Sequence, residues 1–328
     1  MKKLLLCSLF LSTNAFAIVG GVDINKSEYP QFLQVGGCSG SIVAGKYILT
    51  AAHCEKTAAD SAINGNAITE FIANPNYMAI GNGYDTAFAT LATIHTVNTV
   101  SFLSDLPLIE NVQADMYGWS TGSLKRATML TRAPLPIVPQ ALYLKFDNNG
   151  HTAVGDSGSP VLINNQIVSV HSGVDVSHPD ENGAITSRIE SSRDFILSTI
   201  NDWHSPTELK FTGAQTLEIQ SLHVNDTNLA ERWNNKTLTT GGVTVTGGTC
   251  VTDTIAPFGT CTLDITAGAQ SGAIKLTDNN IVTINRAAVV EPDTGGSTDK
   301  NNGGGGGSFG WLTLLALSIF AARRYKNV

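Results

Sequence analysis

Three side chains with complementary chemistry lie in short, distinctive segments of the chain. His53 lies in LTAAHC, Asp85 in GYDTAFATL and Ser157 in GDSGSP. A serine hydroxyl becomes an effective nucleophile when a base removes its proton, and an imidazole, with a pKa of ~6.5, suits that exchange. A carboxylate can hold the imidazole in the required tautomer. Each motif is weak alone, but together they predict nucleophilic catalysis by a serine.

Short apolar segments that would position these residues run from Ile18 to about Trp203. They are separated by Gly, Asn and Pro, which is typical of strands joined by turns. Only the segment from Ser192 to Trp203 has helical spacing, with Phe195, Ile196, Ile200 and Trp203 on one face. The pattern predicts an all-β barrel or sandwich that ends in one helix.

Six motifs in a fixed order resemble those of the trypsin-like, chymotrypsin-fold (S1 family) serine proteases. They are IVGG, CSGSIVAGKYILTAAHC, YDTAFATL, YGW, GDSGSP and IVSV. The resemblance implies two six-stranded antiparallel barrels, a site in the cleft between them and a closing helix. It also implies peptide-bond hydrolysis through an acyl-enzyme, with His53, Asp85 and Ser157 as the triad.

The same resemblance assigns roles to residues around the triad. The amides of Gly155 and Ser157 are the expected oxyanion donors. Ser169, in IVSV, matches the serine that supports the triad aspartate. A new amino terminus at Ile18 is expected to fold inward and pair with Asp156.

The resemblance also bears on the specificity pocket for the substrate's P1 side chain. His151, six residues before the nucleophile, occupies a position that is acidic in proteases cleaving after Arg or Lys. Counting from Ser169 places His171 on the second wall, and Gly183 keeps the opposite wall open. A pocket without a carboxylate disfavours Arg and Lys. Two alternatives stay open: histidines that bind an acidic or amide P1 side chain, or a smaller apolar pocket. The flanking acidic residues that would restore a basic preference are Asp175, Asp180 and Glu181.

Two departures from the family pattern concern the geometry around the nucleophile. Ser159 stands where the family motif GDSGGP has its second glycine, and its Cβ is expected to strain the turn. The disulfides that brace the pocket are missing, with Ala153 at one expected cysteine.

Four cysteines follow the predicted leader, and an even count in an exported protein favours two disulfides. Local pairing gives Cys38 with Cys54 and Cys250 with Cys261. Zinc is the competing interpretation, but no CxxC or HxxxH spacing supports it. We predict no metal and no cofactor.

Composition excludes one class of partner. The 328 residues include 20 basic and 27 acidic side chains, a net charge of −7. Because nucleic-acid binding needs a basic face, we predict none. Only 14% of the residues are charged and 42% are hydrophobic, which is typical of an exported, β-rich protein with a sizeable core.

The chain divides into five predicted segments. Residues 1–17 read as a secretory signal with cleavage after Ala17, Cys7 as a lipoprotein cysteine being the minor alternative. Residues 18–205 form the protease domain, and the Thr/Val-rich residues 206–290 form a small β-sandwich. Residues 291–308 are a Gly/Ser/Asp-rich linker. Residues 309–328 are a short apolar tail with a basic end.

The tail resembles the bacterial GlyGly-CTERM sorting signal. That resemblance implies passage through the periplasm, type II secretion, contact with sorting machinery, and a location at the cell surface or outside it. A permanent membrane anchor is the alternative, although 14 apolar residues are fewer than the ~20 of a comfortable span.

Two functions follow from these observations. The first is a secreted serine endopeptidase acting on proteins or peptides, with S1 preference not for Arg or Lys. The second is a catalytically inert homologue that serves as a surface adhesion or binding protein. The complete set of triad residues favours the enzyme.

Overall fold

The computed structural model describes residues 18–58, 61–80, 82–107, 110–120, 122–133, 138–147, 150–175 and 183–287. The predicted signal, linker and sorting tail lie outside these residues. So do Asp180 and Glu181.

The first barrel-like sheet is built from six strands that precede residue 92. The six strands are β2 (Phe32–Val35), β3 (Cys38–Val43), β4 (Tyr47–Thr50), β5 (Ala62–Ile63), β6 (Asn66–Ala73) and β7 (Ala87–Leu91). The two-residue strand β1 (Val22–Asp23) precedes them in the chain but belongs to the second sheet. The six strands hydrogen-bond in the order β2-β3-β4-β7-β6-β5, always antiparallel. A 3-10 turn (Ala52–Cys54) and helix α1 (Glu55–Ala58) follow β4. β3 and β7 are buried along their whole length, so they form the rigid centre of this sheet.

The second barrel-like sheet closes on itself. Its strands are β8 (Gln113–Gly118), β9 (Lys125–Arg132), β10 (Ala141–Phe146), β11 (Pro160–Ile163), β12 (Gln166–Asp175) and β13 (Gly183–Arg188). The order β8-β9-β10-β13-β12-β11 returns to β8, and β1 adds to β9. Its interior is filled by side chains such as Met116, Met129 and Leu144. The prediction of an all-β, two-barrel chymotrypsin-like fold is therefore confirmed.

The predicted closing helix is shorter than its sequence pattern. A 3-10 turn (Glu190–Ser192) leads into α2 (Arg193–Ile200), which buries Ile196, Leu197 and Ile200. Asn201 adopts a left-handed conformation, with φ of 41°, and ends the helix. Trp203 therefore belongs to the next strand and not to the helical face. Among the described residues no helix is long and apolar enough to cross a membrane.

A third sheet follows directly on α2. It contains β14 (Trp203–His204), β15 (Glu208–Leu209), β16 (Gly213–Ser221), β17 (Thr239–Gly247), β18 (Thr260–Lys275) and β19 (Ile281–Ile284), with short helices α3 (Ala230–Asn234) and α4 (Thr249–Thr252). Its strands are connected through the 16-residue β18, which pairs with β16 at one end and β19 at the other. The sheet begins at Trp203, three residues before residue 206, where the second domain is predicted to start.

Buried polar side chains of the third sheet bind the backbone of the first barrel and of the segment between the barrels. The Gln220 amide accepts a hydrogen bond from Leu103 N (3.0 Å) and donates one to Leu103 O (2.6 Å). His204 Nδ1 accepts from Ala44 N (3.1 Å), and its Nε2 lies 3.2 Å from Ser101 O. Both side chains are fully buried. Because a buried polar group is costly unless it is paired, these contacts fix the third sheet against the barrels.

Candidate active site

Three side chains from separate elements meet between the two barrels. His53 lies in the 3-10 turn after β4, Asp85 two residues before β7, and Ser157 in the loop between β10 and β11. His53 Nδ1 is 2.6 Å from Asp85 Oδ2, and His53 Nε2 is 2.8 Å from Ser157 Oγ. Since a carboxylate only accepts, Nδ1 carries the proton of the neutral ring, and Nε2 is left to accept from the serine hydroxyl.

Asp85 is held on both of its oxygens and at its own backbone. Its side chain is fully buried. Oδ1 accepts the His53 N–H (3.0 Å), and Oδ2 accepts the Ser172 hydroxyl (2.5 Å) as well as His53 Nδ1–H. The Asp85 N–H donates to Ser187 Oγ (2.8 Å). These contacts leave the carboxylate one orientation, which faces the imidazole.

The assignment of Ser169 as the residue that supports Asp85 is wrong. Its hydroxyl is buried and has no hydrogen-bond partner among the described residues. Ser172, three residues later in β12, makes the contact. The β12–β13 register shifts between His171 and Gly173, so Ser172 is the extra residue of a β-bulge. A bulge redirects a side chain, and here it points Ser172 at Asp85.

Two glycines shape the loop that carries Ser157. Gly155 has φ of +103° and Gly158 has φ of +83°, a region that side-chain-bearing residues rarely adopt. A Cβ on Gly155 would collide with the backbone of Ser120, and one on Gly158 with the backbone of Ser39. Among the described residues, the N–H groups of Gly155 and Ser157 donate to no other group. They are therefore available to a ligand beside Ser157 Oγ.

Ser39 ties this loop to the first barrel, a role that the sequence did not reveal. Its N–H donates to Ser157 O (2.7 Å) and its hydroxyl to Gly155 O (2.8 Å). The same hydroxyl accepts from Trp119 N (2.9 Å), and Thr50 Oγ1 donates to Ser39 O (2.8 Å). The one sequence feature that could have drawn attention to Ser39 is its position in the motif CSGS, next to Cys38. Nothing in that motif says that a serine of one barrel holds the nucleophile loop of the other.

Ile18 and Asp156 are also in contact, deep inside the second barrel. The Ile18 nitrogen lies 3.2 Å from Asp156 Oδ2, which also accepts from Ala153 N (2.8 Å). Both side chains are fully buried. Burial raises the pKa of Asp156 to about 6, against the lowering effect of these N–H donors. That value belongs to the chain in which Ile18 is still joined to Ala17; a positive charge on the Ile18 nitrogen would lower it.

The residues predicted for the specificity pocket differ in burial and in the strands to which they belong. His151 is exposed, and its backbone pairs with Val19 (2.9 and 3.0 Å). His171 is buried, and its Nδ1 has no partner among the described residues. Burial lowers its pKa to about 4, so it is neutral at pH 7. His171 was placed on the second wall by counting two residues on from Ser169. Because Ser172 is the serine that contacts Asp85, the same count starts at Ser172 and reaches Val174. Gly183 begins β13, opposite Asp175.

Both predicted disulfides are present. Cys38–Cys54 joins β3 to the turn that carries His53, and Cys250–Cys261 joins α4 to β18. The first bond therefore anchors the residue next to His53. No cluster of three or more metal-ligating side chains occurs among the described residues.

Comparisons with known proteins match the part of the chain that contains these residues. Residues 18–196 match the family described as Trypsin. A curated relative, trypsin from Saccharopolyspora erythraea, is 24% identical over 224 residues, which cover 56% of this chain and 98% of the relative. The solved structure of HL collagenase shares 21% identity over 56% of this chain and 98% of its own, with a TM-score of 0.46. The secreted serine protease VesC from Vibrio cholerae shares 14% identity over 81% of this chain and 70% of its own, with a TM-score of 0.43.

Proposed function

Because this chain belongs to the trypsin family of serine proteases, we propose that it is an exported serine endopeptidase whose triad is His53, Asp85 and Ser157. The observation that carries the proposal is the unbroken hydrogen-bonded series from Ser157 Oγ through His53 to Asp85, at 2.8 and 2.6 Å. A binding protein that no longer needed catalysis would have no use for this alignment, so the inert alternative is not favoured.

The proposed reaction follows from which groups can hold the moving proton. Nε2 of His53 takes the Ser157 proton as Oγ attacks the scissile carbonyl, and Asp85 stabilises the imidazolium that forms. The amides of Gly155 and Ser157 receive the negative charge on the carbonyl oxygen; one such donor is worth ~3 kcal/mol. His53 then gives the proton to the leaving amine, and water releases the acyl group by the same steps in reverse.

We further propose that export itself activates the enzyme. Signal cleavage after Ala17 would leave Ile18 as the amino terminus, with a charged nitrogen at the position that now faces Asp156. A buried ammonium is costly unless it is paired, and this carboxylate supplies the pair. The linker and tail, residues 291–328, would then serve sorting or attachment at the surface, as the resemblance of the tail implies.

A fluorophosphonate probe tests the proposal directly, since it forms a covalent bond only with an activated serine. We expect the exported protein to be labelled on Ser157 and to hydrolyse peptides. Ser157→Ala should abolish both, with turnover lower by ~10⁶. Ser198→Ala, which removes a hydroxyl on the exposed side of α2, is the matched control and should keep both. Absence of labelling in protein that begins at Ile18 would overturn the assignment.

For the P1 side chain we propose a preference other than Arg or Lys. His151 occupies the position from which a carboxylate would bind a basic head, and an unpaired buried guanidinium costs several kcal/mol. The unpartnered Nδ1 of buried His171 supports the acidic or amide alternative, whereas Val174 on the recounted wall supports the small apolar one.

A panel of substrates with P1 Arg, Glu, Gln, Leu and Phe separates these alternatives. We expect Glu and Gln, or else Leu and Phe, to exceed Arg in kcat/KM. An advantage of more than about tenfold for Arg, equivalent to ~1.4 kcal/mol, would contradict the preference. Asp175→Asn, which alters the buried carboxylate beside Val174, then shows whether that side chain is responsible.

A further inference from the structure

Ser159 is the residue at which the nucleophile motif departs from its family pattern. The expected strain is absent: Ser159 is not among the residues with positive φ. Its backbone is fully used, since its N–H donates to Asp156 O (2.9 Å) and its carbonyl accepts from His171 N (2.8 Å). Its side chain is completely buried, and the hydroxyl has no hydrogen-bond partner among the described residues. The structure therefore holds a buried hydroxyl two residues from the nucleophile without using it.

A second unpaired atom lies beside it. Oδ2 of Asp156 accepts from Ile18 and Ala153, but Oδ1 is buried without a partner. Both unpaired atoms face Gly118: a Cβ built on that glycine would meet Asp156 Oδ1 first and Ser159 Oγ next, the latter at 2.8 Å. Because Gly118 has no Cβ, the carboxylate oxygen and the hydroxyl both approach the position that a Cβ would occupy.

The two atoms are chemically complementary. A buried carboxylate oxygen without a donor carries a desolvation cost, and a hydroxyl rotates freely to donate. The other groups that face this carboxylate are Ile18, the N–H of Ala153, and the backbone and hydroxyl of Ser120, a hydroxyl that is also buried without a partner among the described residues. Of these, only the Ile18 nitrogen becomes charged, and only after cleavage.

We propose that Ser159 is a positioning residue for the activation pair: its hydroxyl turns to donate to Asp156 Oδ1 and keeps the carboxylate ionised and aimed at Ile18. This inference rests on the proposed function, because it assumes that the Ile18–Asp156 pair holds the catalytic loop. It assigns a purpose to the serine that replaces the usual glycine.

The experiment uses the exported full chain beginning at Ile18, as wild type, Ser159→Ala and Ser159→Gly. Losing a hydrogen bond to an ionised carboxylate favours its protonated form. The carboxylate then stabilises the Ile18 ammonium less, so the alkaline limb of kcat/KM, where this ammonium loses its proton, should move down by about one pH unit in both variants, which is about tenfold in activity above the limb. The glycine variant restores the family motif and gives a second, independent loss of the hydroxyl.

The reactivity of the Ile18 amine gives a readout that a merely structural role would not move. Reductive methylation followed by mass spectrometry should modify this amine slowly in the wild type and several-fold faster in both Ser159 variants near pH 6. Ser41→Ala is the matched control, because Ser41 is also buried with an unpartnered hydroxyl but lies in the first barrel. It should change neither the limb nor the labelling.

The outcomes separate the two hypotheses. An unchanged alkaline limb and unchanged amine protection in both Ser159 variants would overturn the role of Ser159 and leave the proposed function intact. A wild-type protein that is labelled by fluorophosphonate while its Ile18 amine reacts freely would refute the activation pair, and with it this inference.

Discussion

At the scale of single residues, the support of Asp85 by Ser172 has a measurable value. Ser172→Ala removes the shortest of the donors to this carboxylate, so the imidazolium formed during attack is less well oriented. A hydrogen bond to a charged group is worth ~1.5–3 kcal/mol, which predicts a fall in kcat of about ten- to a hundredfold with little change in KM. Steady-state kinetics on one good substrate measures both constants.

Ser169→Ala is the control for that substitution. It removes a buried hydroxyl from the same strand, but one that bonds nothing among the described residues. We expect its kcat to stay within about twofold of the wild type. Equal losses in the two variants would mean that β12 responds to packing and not to the contact with Asp85.

At the scale of elements, the strand β12 shows where sequence reasoning succeeds and where it stops. The apolar segment QIVSVHSG predicted a strand, and the strand is there, because alternation and β-branched residues are local properties. The bulge at Ser172 is not local: it depends on how β12 pairs with β13, and a position counted along a motif assumes an unbroken register. That is why Ser169 and the pocket position derived from it were both misplaced.

The same limit applies to the helix and the third sheet. Phe195, Ile196 and Ile200 fix a helical face by spacing alone, but the end of the helix is set by the left-handed Asn201. Likewise, alternating Thr and Val residues predict strands near β18, yet its 16-residue length depends on partners at both ends. The triad motifs identified the three residues that meet; Ser39, which binds the nucleophile loop across the barrels, has no pattern of its own.

At the scale of the whole molecule, two buried histidines make stability depend on pH. Burial lowers the pKa of both His204 and His171 to about 4, from an ordinary value of 6.5. Each is neutral in the fold, so its contribution is complete above pH ~6.5 and is lost as the pH falls toward ~4, by about 3 kcal/mol each. Asp156 acts in the opposite sense. Because burial raises its pKa, protonation in acid removes the cost of burying its charge and so favours the folded state. The net expectation is weaker folding in acid.

His204→Gln tests this expectation, because a neutral amide can accept from Ala44 and donate to Ser101 without titrating. Urea unfolding at pH 7.5 and pH 4.5 should show a smaller acid loss in this variant than in the wild type, by about 2 kcal/mol. His151→Gln changes an exposed histidine and should leave the pH dependence as it is. If the free energy of unfolding of His204→Gln falls between pH 7.5 and pH 4.5 as much as that of the wild type, protonation of His204 is not the cause of the acid destabilisation.

The two hydrogen bonds between the Gln220 side chain and the Leu103 backbone have a consequence for how such proteins diversify. Recombination at residue 205 would separate the Gln220 amide from the Leu103 backbone groups that it pairs with. The Leu103 N–H and carbonyl would then be left without these hydrogen bonds. A crossover beyond residue 287 would exchange the remaining segments without separating these partners. The barrels and the third sheet are therefore expected to be inherited together as one unit, independently of the residues that follow them.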